Sequence, residues 1–553
     1  MGAQAAGAQL GVKLLRLPVL ALSALLMGAA PPQSIGDLHA ADRIRAHVEF
    51  LASDELEGRE TGSRGHRIAA NYVAAEFRKL GLKPGGTNGS WFVEVPFRRA
   101  TQAGLPALSM ILNGKRTKLV VGRDAAVRPS VTERQRDLSG GLVFVGYGVR
   151  DARLGIDDYA GLDVRGKIVV ALSDLPPGVS GAAAAHVASM RAQTAGAQGA
   201  VGYIEIEDAA TAASQLRRFA DRPVIDWVDK DGRTSRAGAA RALIALSPQL
   251  ATRLFERAPQ TLKQVRAQIA GGKRVRGFAL PATMTIKASS AWEDFTSPNV
   301  VAVLPGSDPK LSREHVVLMG HLDHLGVDAS AKPGQDNVYN GALDNAAGVA
   351  TTIEAAREFV EARRPPRRSV MFAAVTGEEY GLLGASYLAS HPTVPADAIV
   401  GLVNLDMPLL LYDFTDVVAF GAEHSTIARA VAAAGRSMKV GLGPDPMPQE
   451  TLFVRSDHYP FVKQGVPSVF LMTGQANGGK QYWQRFLADT YHSVKDDLTQ
   501  PIHWQAGARF ADLNYRIARE MADGDQRPMW YAGDYFGESF ALTQPKAQRS
   551  PSR

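Results

Sequence analysis

The chain has 553 residues, of which 45% are hydrophobic and 21% charged, and it contains no cysteine. That length exceeds one ordinary hydrophobic core and predicts two domains, while the missing thiols exclude disulfide bonds and thiolate metal sites. The net charge of +7 comes from basic residues dispersed along the sequence. A solvated surface is therefore favoured over nucleic-acid binding.

Residues 1–30 have the layout of a secretory signal peptide. Lys13 and Arg16 precede an apolar run over residues 17–30 that ends in small side chains. The run is shorter than the roughly 20 residues that a membrane-spanning helix needs, although an uncleaved membrane anchor is the alternative. We therefore expect an exported protein, periplasmic or secreted, with no stable membrane association after signal removal, and a linker over residues 31–40.

Residues 41–120 are expected to form the first part of the main domain. The helical spacing of Ile44, Val48 and Leu51 precedes a polar loop, and a second helical pattern ends at Gly81. From residue 121 to residue 290 the sequence is rich in strand patterns and lacks clusters of metal-type side chains. This stretch is interpreted as a separate insert.

Two adjacent carboxylates, Glu378 and Glu379, follow an apolar, partly β-branched strand pattern over residues 370–375. Open α/β sheets place their ligands at the carboxyl ends of such strands. Adjacent glutamates repel one another, and a metal ion is the obvious positive group between them.

Further metal-type side chains in the same half of the chain end a strand pattern, open a helix or lie in a loop. A doubly wound sheet gathers such positions along one rim. Nitrogen and oxygen ligands without thiolate suit two divalent ions bridged by one carboxylate, with zinc favoured over manganese or cobalt. The set is His321, Asp344, Glu379, Asp406 and His492.

In this order the motifs resemble metallopeptidase family 28, the co-catalytic zinc exopeptidases that include bacterial aminopeptidases and the glutamate carboxypeptidase group. The resemblance extends over nearly all of residues 40–520. The matching stretches are GHLDH at 320–324, YNGALDNAAGVA at 339–350, TGEEYGLLGA at 376–385, NLDM at 404–407, SDHYPFVKQGVPSVFL at 456–471 and YHSVKDD at 491–497.

The resemblance implies two zinc ions per chain. His321 and Asp406 would hold the first ion. Glu379 and His492 would hold the second, and Asp344 would bridge the two.

The resemblance also assigns roles to residues that do not bind metal. Glu378 would be the general base, Asp323 a carboxylate that orients the site, and Tyr491 a donor to the oxyanion. His324 is interpreted as a loop histidine rather than a ligand, and Asp457 as a residue that shapes a loop near the substrate.

The fold that the resemblance implies is α/β, a three-layer αβα sandwich around a mixed sheet. A mostly β protease-associated insert over residues 121–290 would interrupt it. The catalytic domain would resume over residues 291–540 with the metal site, and residues 541–553 would form a disordered tail.

The expected function is an exported zinc aminopeptidase that removes N-terminal residues from peptide substrates. A carboxypeptidase or a glutaminyl cyclase on the same scaffold is the first alternative, and an inactive binding module the remote one. The side-chain preference and the oligomeric state stay open.

Overall fold

The computed structural model of the chain describes residues 35–549. The predicted signal peptide lies outside the described residues. The strands are β1 Lys83–Pro84, β2 Phe92–Gln102, β3 Ala107–Leu112, β4 Lys115–Leu119, β5 Ala125–Val127, β6 Gln135–Phe144, β7 Arg150–Asp151, β8 Ile156–Asp157, β9 Ile168–Leu172, β10 Gly202–Ile206, β11 Val224–Trp227, β12 Ala242–Leu246, β13 Phe278–Leu304, β14 His315–His321, β15 Gly326–Val327, β16 Val338–Tyr339, β17 Ser369–Val375, β18 Ile399–Leu405, β19 Asp416–Phe420, β20 Gly441–Gly443 and β21 Ser468–Thr473.

The helices precede, interrupt and follow these strands. They are α1 Ile35–Leu51, α2 Arg64–Lys79, α3 Gly181–Ser189, α4 Arg191–Ala197, α5 Ala209–Asp221, α6 Pro248–Leu254, α7 Leu262–Ala270, α8 Ala347–Glu361, α9 Leu383–Ser390, α10 Ile427–Met438, α11 His458–Val462, α12 Gly479–Arg485, α13 Trp504–Asp523 and α14 Tyr535–Phe540.

The main sheet is mixed, and its centre is parallel. Strand β14 pairs in parallel with β17 on one side and with β18 on the other, and β18 pairs in parallel with β21. Strand β13 pairs antiparallel with β17 and with β2. The carboxyl ends of β14, β17 and β18 therefore lie at one edge of the sheet.

Alternating side chains of the central strands enter two different cores. In β14, Val316 and Leu318 pack in the core that includes α1, α2, α8 and α13, whereas Val317 and Met319 pack in the core that includes α9. Successive residues of a strand point to opposite faces, so an unbroken apolar run indicates a sheet covered on both sides. The predicted three-layer α/β class with a mixed sheet is confirmed.

A second sheet lies between the two parts of the main sheet in sequence. Strands β6, β9, β10 and β12 pair in parallel, and the first half of β13 pairs antiparallel with β3 and β6. This sheet also includes β3 and β4, which precede the predicted boundary at residue 121. The stretch between the predicted boundaries also contains helices α3 to α7. Its interpretation as a protease-associated insert stays a prediction.

The long strand β13 joins the two sheets. Residues 278–289 pair within the second sheet, and the chain then continues into the main sheet without a break. Strand β11 adds a further link, since it pairs antiparallel with β2 at the edge of the main sheet.

Two predictions about the ends of the chain are wrong. The linker predicted over residues 31–40 is helical from Ile35 onward, because no proline follows Pro32 to oppose a helix before Leu51. The tail predicted to be disordered from residue 541 is ordered at least to residue 549. The backbone of Ala547 pairs with Trp530 and Ala532 at 2.8 Å. Residues 550–553 lie outside the described part of the chain.

Over residues 35–549, no helix is both long enough and apolar enough to cross a membrane.

We expect Leu318→Ala to lower the free energy of unfolding by about 2–5 kcal/mol, because Leu318 is fully buried at the centre of β14. Urea-induced unfolding followed by circular dichroism measures the loss. The matched control is Leu442→Ala in β20, where the side chain is 51% exposed and the change should stay within about 0.5 kcal/mol. Equal losses in both variants would contradict the assignment of this core.

Candidate metal centre

The predicted ligands at the sheet edge follow three neighbouring parallel strands. His321 is the last residue of β14, Glu379 follows the end of β17, and Asp406 comes directly after β18. Because these strands run in the same direction, the side chains of their carboxyl ends meet at the edge predicted from the sequence.

Asp344 reaches this edge from the turn that precedes α8. The backbone N–H groups of Leu343 and Asp344 each donate to a carboxylate oxygen of Asp496 at 2.9 Å. Gly341 precedes this turn with φ 58°, and a Cβ there would lie 2.7 Å from the ring of His324 and 2.3 Å from the carbonyl of Asp344. Glycine is therefore required, both for the backbone conformation and for the space.

The two carboxylate oxygens of Asp344 face two different groups of side chains. Oδ1 lies 3.1 Å from His321 Nε2, and that nitrogen lies 3.2 Å from Asp406 Oδ1. Oδ2 lies 3.3 Å from His492 Nε2, which lies 3.1 Å from Glu379 Oε2. One carboxylate thus joins two sets of nitrogen and oxygen donors, and all five predicted ligand residues lie together.

The charges of this cluster shift the pKa values of its members. Burial disfavours the imidazolium of His321, but Asp406 and Asp344 outweigh burial and raise its pKa well above the usual value. For His492 burial is likewise outweighed by Asp344 and Glu379, which raise its pKa to about 10. In Asp344, burial is overcome by hydrogen bonds from His321 and His492, which lower its pKa. Opposite charges in a water-poor site produce such shifts.

Glu378 is the carboxylate of the adjacent pair that no described hydrogen bond engages through its side chain. Burial raises its pKa well above the usual value; His321 opposes this rise, whereas Glu379 and Asp457 add to it. Its neighbour Glu379 is held by His324 and His492. The pair therefore consists of one restrained and one free carboxylate.

Asp323 lies beneath the pair and is fully buried. Its Oδ1 accepts from the backbone N–H of Glu378 at 3.2 Å and its Oδ2 from that of Glu379 at 3.4 Å, while the hydroxyl of Thr61 donates to Oδ2 at 3.0 Å. Its backbone carbonyl lies 3.1 Å from His321 Nδ1. Asp323 can therefore orient both the glutamate pair and the imidazole of His321.

Tyr491 is half-buried, and its ring stacks on that of His492 with centroids 3.8 Å apart. Burial raises the pKa of its hydroxyl, and the charges of Asp344 and Glu378 raise it further. The phenol is therefore neutral and able to donate a hydrogen bond.

His324 was expected to be an ordinary loop histidine, but the structure places it within the cluster. It is 1% exposed, and its Nδ1 lies 2.7 Å from Glu379 Oε1. Ligand atoms of His324, Asp344 and Glu379 lie within 4.8 Å of one another. The spacing of His321 and His324 contained this signal, but only the fold shows that His321 faces Asp344 and Asp406 and that His324 faces Glu379.

Asp457 is also closer to the cluster than the sequence indicated. It is fully buried, and neither of its carboxylate oxygens has a hydrogen-bond partner among the described residues. Burial raises its pKa well above the usual value, and the charges of Asp406 and Asp323 add to the rise while His321 opposes it.

The donor set fits zinc. His321, Asp344 and Asp406 offer ligand atoms within 4.8 Å of one another, as do His324, Asp344 and Glu379. Imidazole and carboxylate ligands in small groups are typical of catalytic zinc sites, and hydrogen-bonded carboxylates such as Asp323 commonly fix the ligands.

Residues 299–518, the stretch that contains this cluster, match the family model described as peptidase family M28. Over this stretch the chain is similar to peptidase family M28.

Curated relatives of this chain are named as probable zinc metalloproteases. One from Leptosphaeria maculans is 27% identical over 261 residues, covering 42% of this chain and 58% of the relative. One from Pyrenophora teres f. teres is 38% identical over 109 residues, covering 20% of this chain and 22% of the relative. The chain therefore matches less than two thirds of the length of these relatives.

Solved structures with low sequence identity also resemble the chain. An aminopeptidase from Aneurinibacillus sp. strain AM-1 is 20% identical and covers 90% of this chain and 97% of its own, with a TM-score of 0.47. A zinc aminopeptidase from Bacillus subtilis is 17% identical and covers 88% and 95%, with a TM-score of 0.41.

We expect His324→Gln to weaken zinc binding about 10–100-fold, because it removes the imidazole that restrains Glu379. Competition with a fluorescent chelator measures the affinity without any assay of activity. His39→Gln changes an exposed histidine and should leave the affinity unchanged. Unchanged zinc affinity in His324→Gln would restore the interpretation as an ordinary loop histidine.

We expect zinc binding to the metal-free protein at pH 7 to release protons. The raised pKa values leave the imidazoles of His321 and His492 protonated at that pH, and an imidazole must be neutral to bind a metal. Titration calorimetry in buffers of different ionisation enthalpy counts the protons. His492→Gln should lower the count by about one. Heats that do not depend on the buffer would contradict these protonation states.

Proposed function

We propose that the chain is an exported aminopeptidase that uses two zinc ions to hydrolyse the N-terminal peptide bond of peptides. The observation that carries the proposal is the position of Asp344, whose two oxygens lie 3.1 Å from His321 and 3.3 Å from His492. A carboxylate between two sets of donors is the arrangement that a pair of divalent ions needs. The names of the curated relatives, probable zinc metalloproteases, support zinc as the metal.

His321 and Asp406 would hold one ion, Glu379 and His492 the other, and Asp344 both. Zinc at this position supplies Lewis acidity, which lowers the pKa of a bound water toward roughly 7 and polarises the scissile carbonyl. The contribution of the chain is to fix these ligands at the sheet edge and to orient them through Asp323 and Asp496.

Glu378 is the group suited to move the proton. No described hydrogen bond engages its carboxylate, and burial, to which the charge of Glu379 adds, raises its pKa well above the usual value. A raised pKa makes a carboxylate a stronger base. Glu378 takes the proton of the attacking water and then delivers it to the leaving amine. Asp323 accepts from the backbone N–H of Glu378 and so holds the base in place.

Tyr491 is suited to stabilise the developing oxyanion. Its neutral hydroxyl belongs to the residue next to His492, and the stacked rings restrict its position. A fixed neutral donor in a water-poor site stabilises charge that forms only in the transition state.

Two alternative reactions use the same scaffold. A carboxypeptidase would need a cation that holds the terminal carboxylate next to the scissile bond, and Arg455 does not provide it, because it is paired with Glu450 at 2.9 Å on an exposed surface. A glutaminyl cyclase would need a single zinc ion, which the position of Asp344 between two donor sets does not favour. Export rests on the pattern of residues 1–30.

We expect Glu378→Ala to lower kcat about 10²–10⁴-fold while the protein keeps about two zinc ions per chain. Hydrolysis of aminoacyl substrates is measured beside elemental analysis of the same preparation. Glu423→Ala, which changes an exposed glutamate, is the control with unchanged activity.

Blocked substrates and metal content test the reaction class. Acetylation of the substrate amine should abolish cleavage, and chelation of zinc should abolish it reversibly. Equal cleavage of free and acetylated peptides would contradict an aminopeptidase. One zinc ion per chain together with cyclisation of N-terminal glutamine would support the cyclase instead.

A further inference from the structure

A cavity of about 430 Å³ lies between the second sheet and the main sheet. Its volume is in the range of sites for small ligands. One wall comes from the predicted insert, residues 121–290, and includes Arg128, Arg191, Arg218 and Arg236. The opposite wall comes from residues 291–540 and includes Tyr459 and Lys463 at helix α11.

The lining of this cavity is strongly cationic. Its single carboxylate, Glu205, is already engaged, since Arg191 Nη1 lies 2.6 Å from Glu205 Oε1. The four remaining cations are Arg128, Arg218, Arg236 and Lys463. Within residues 35–549, no carboxylate oxygen lies within 4 Å of their charged nitrogens.

These uncompensated charges are costly for the folded protein. Burial, together with the neighbouring charges of Arg236 and Arg218, lowers the pKa of Arg128 to about 9, although the charge of Asp226 opposes this fall. Burial also lowers the pKa of Lys463. The rings of Phe219 and Tyr459 lie 5.8 Å and 5.4 Å from cations, which relieves part of the cost but supplies no anion. Like charges held in a partly desolvated space favour an anionic ligand.

The cavity adjoins the candidate metal centre through two shared segments. Gly381 and Leu382 line it, and their N–H groups donate to the carbonyl of Glu378 at 2.7 Å and 2.9 Å. Val454 also lines it, two residues before Ser456, whose hydroxyl donates to Asp406 at 2.5 Å. The same turns therefore form the cavity wall and support the carboxylates of the metal centre.

We propose that this cavity binds the carboxylate of a peptide substrate, either an acidic side chain or the C-terminus of a short peptide. The proposal rests on the proposed peptidase function. Guanidinium groups match carboxylates through paired hydrogen bonds, and Lys463 adds a point charge from the opposite wall. The cationic cavity thus sets a preference for acidic or short peptides at the adjoining centre.

The test compares matched peptides on the zinc-loaded Glu378→Ala protein, which should not turn them over. The peptides differ only in a C-terminal acid or amide, or in glutamate or glutamine at one position. Titration calorimetry should give at least about 10-fold tighter binding for the carboxylate forms, as expected for charge-assisted hydrogen bonds. Equal affinities for the acid and amide forms, and for the glutamate and glutamine forms, would overturn the proposal. This comparison needs no variant of the cavity.

Cavity variants locate the binding. Arg236→Gln and Lys463→Gln should each remove most of the preference for the carboxylate forms, whereas Arg116→Gln, an exposed arginine of β4, should retain it. Arg236→Gln should keep or raise Tm, because it relieves repulsion with Arg128. An unchanged preference in both cavity variants would overturn the assignment to this cavity.

Inorganic phosphate distinguishes a substrate site from a site for free anions. Phosphate should compete with the carboxylate peptides and not with the amides. If Arg236→Gln weakens phosphate binding but the carboxylate and amide peptides bind equally well, the substrate assignment is overturned. The binding preference is measured without turnover. Its absence in an active peptidase rejects the cavity proposal alone, and its presence in a protein without peptidase activity rejects the proposed function alone.

Discussion

The structure depends on a concentration of buried carboxylates at one edge of the main sheet. Asp344, Asp406 and Asp457 are buried there beside the glutamate pair. Carboxylates taken out of water and held close together repel one another strongly unless cations lie between them. The imidazoles of His321 and His492 provide part of that positive charge, because the neighbouring carboxylates raise their pKa values and favour the imidazolium form. Repulsion within the acidic edge thus lowers folding stability, and the same carboxylates favour the binding of divalent ions.

The elements around the main sheet support that edge. Parallel strands bring three of the ligands together, while Asp496 fixes the turn with Asp344 and Asp323 fixes the turn with the glutamate pair. On the far side of Gly381 and Leu382 the sign of the charge reverses in the cationic cavity. The two regions therefore present opposite charges within a short stretch of structure.

The layers of the fold can be predicted from the sequence, but the contacts between side chains of distant segments cannot. Apolar runs such as residues 315–320 predict strands covered on both faces, and the alternation of Leu318 and Met319 between two cores bears this out. Polar residues at strand ends predict the acidic edge. The spacing of His321 and His324 is compatible with a second histidine in the site, but the contact of His324 with Glu379 joins segments far apart in sequence. The cationic cavity likewise joins distant segments, so no local pattern predicts it. The ordered tail depends in the same way on pairing with Trp530.

The continuous strand β13 has a mechanical consequence. Its first half pairs with β6 and its second half with β17, so one extended backbone crosses from one sheet to the other. Rotation of one sheet relative to the other would have to bend this backbone and break ladder hydrogen bonds, which a flexible linker would not require. The shared strand therefore restrains the relative movement of the two sheets and helps to set the width of the space between them.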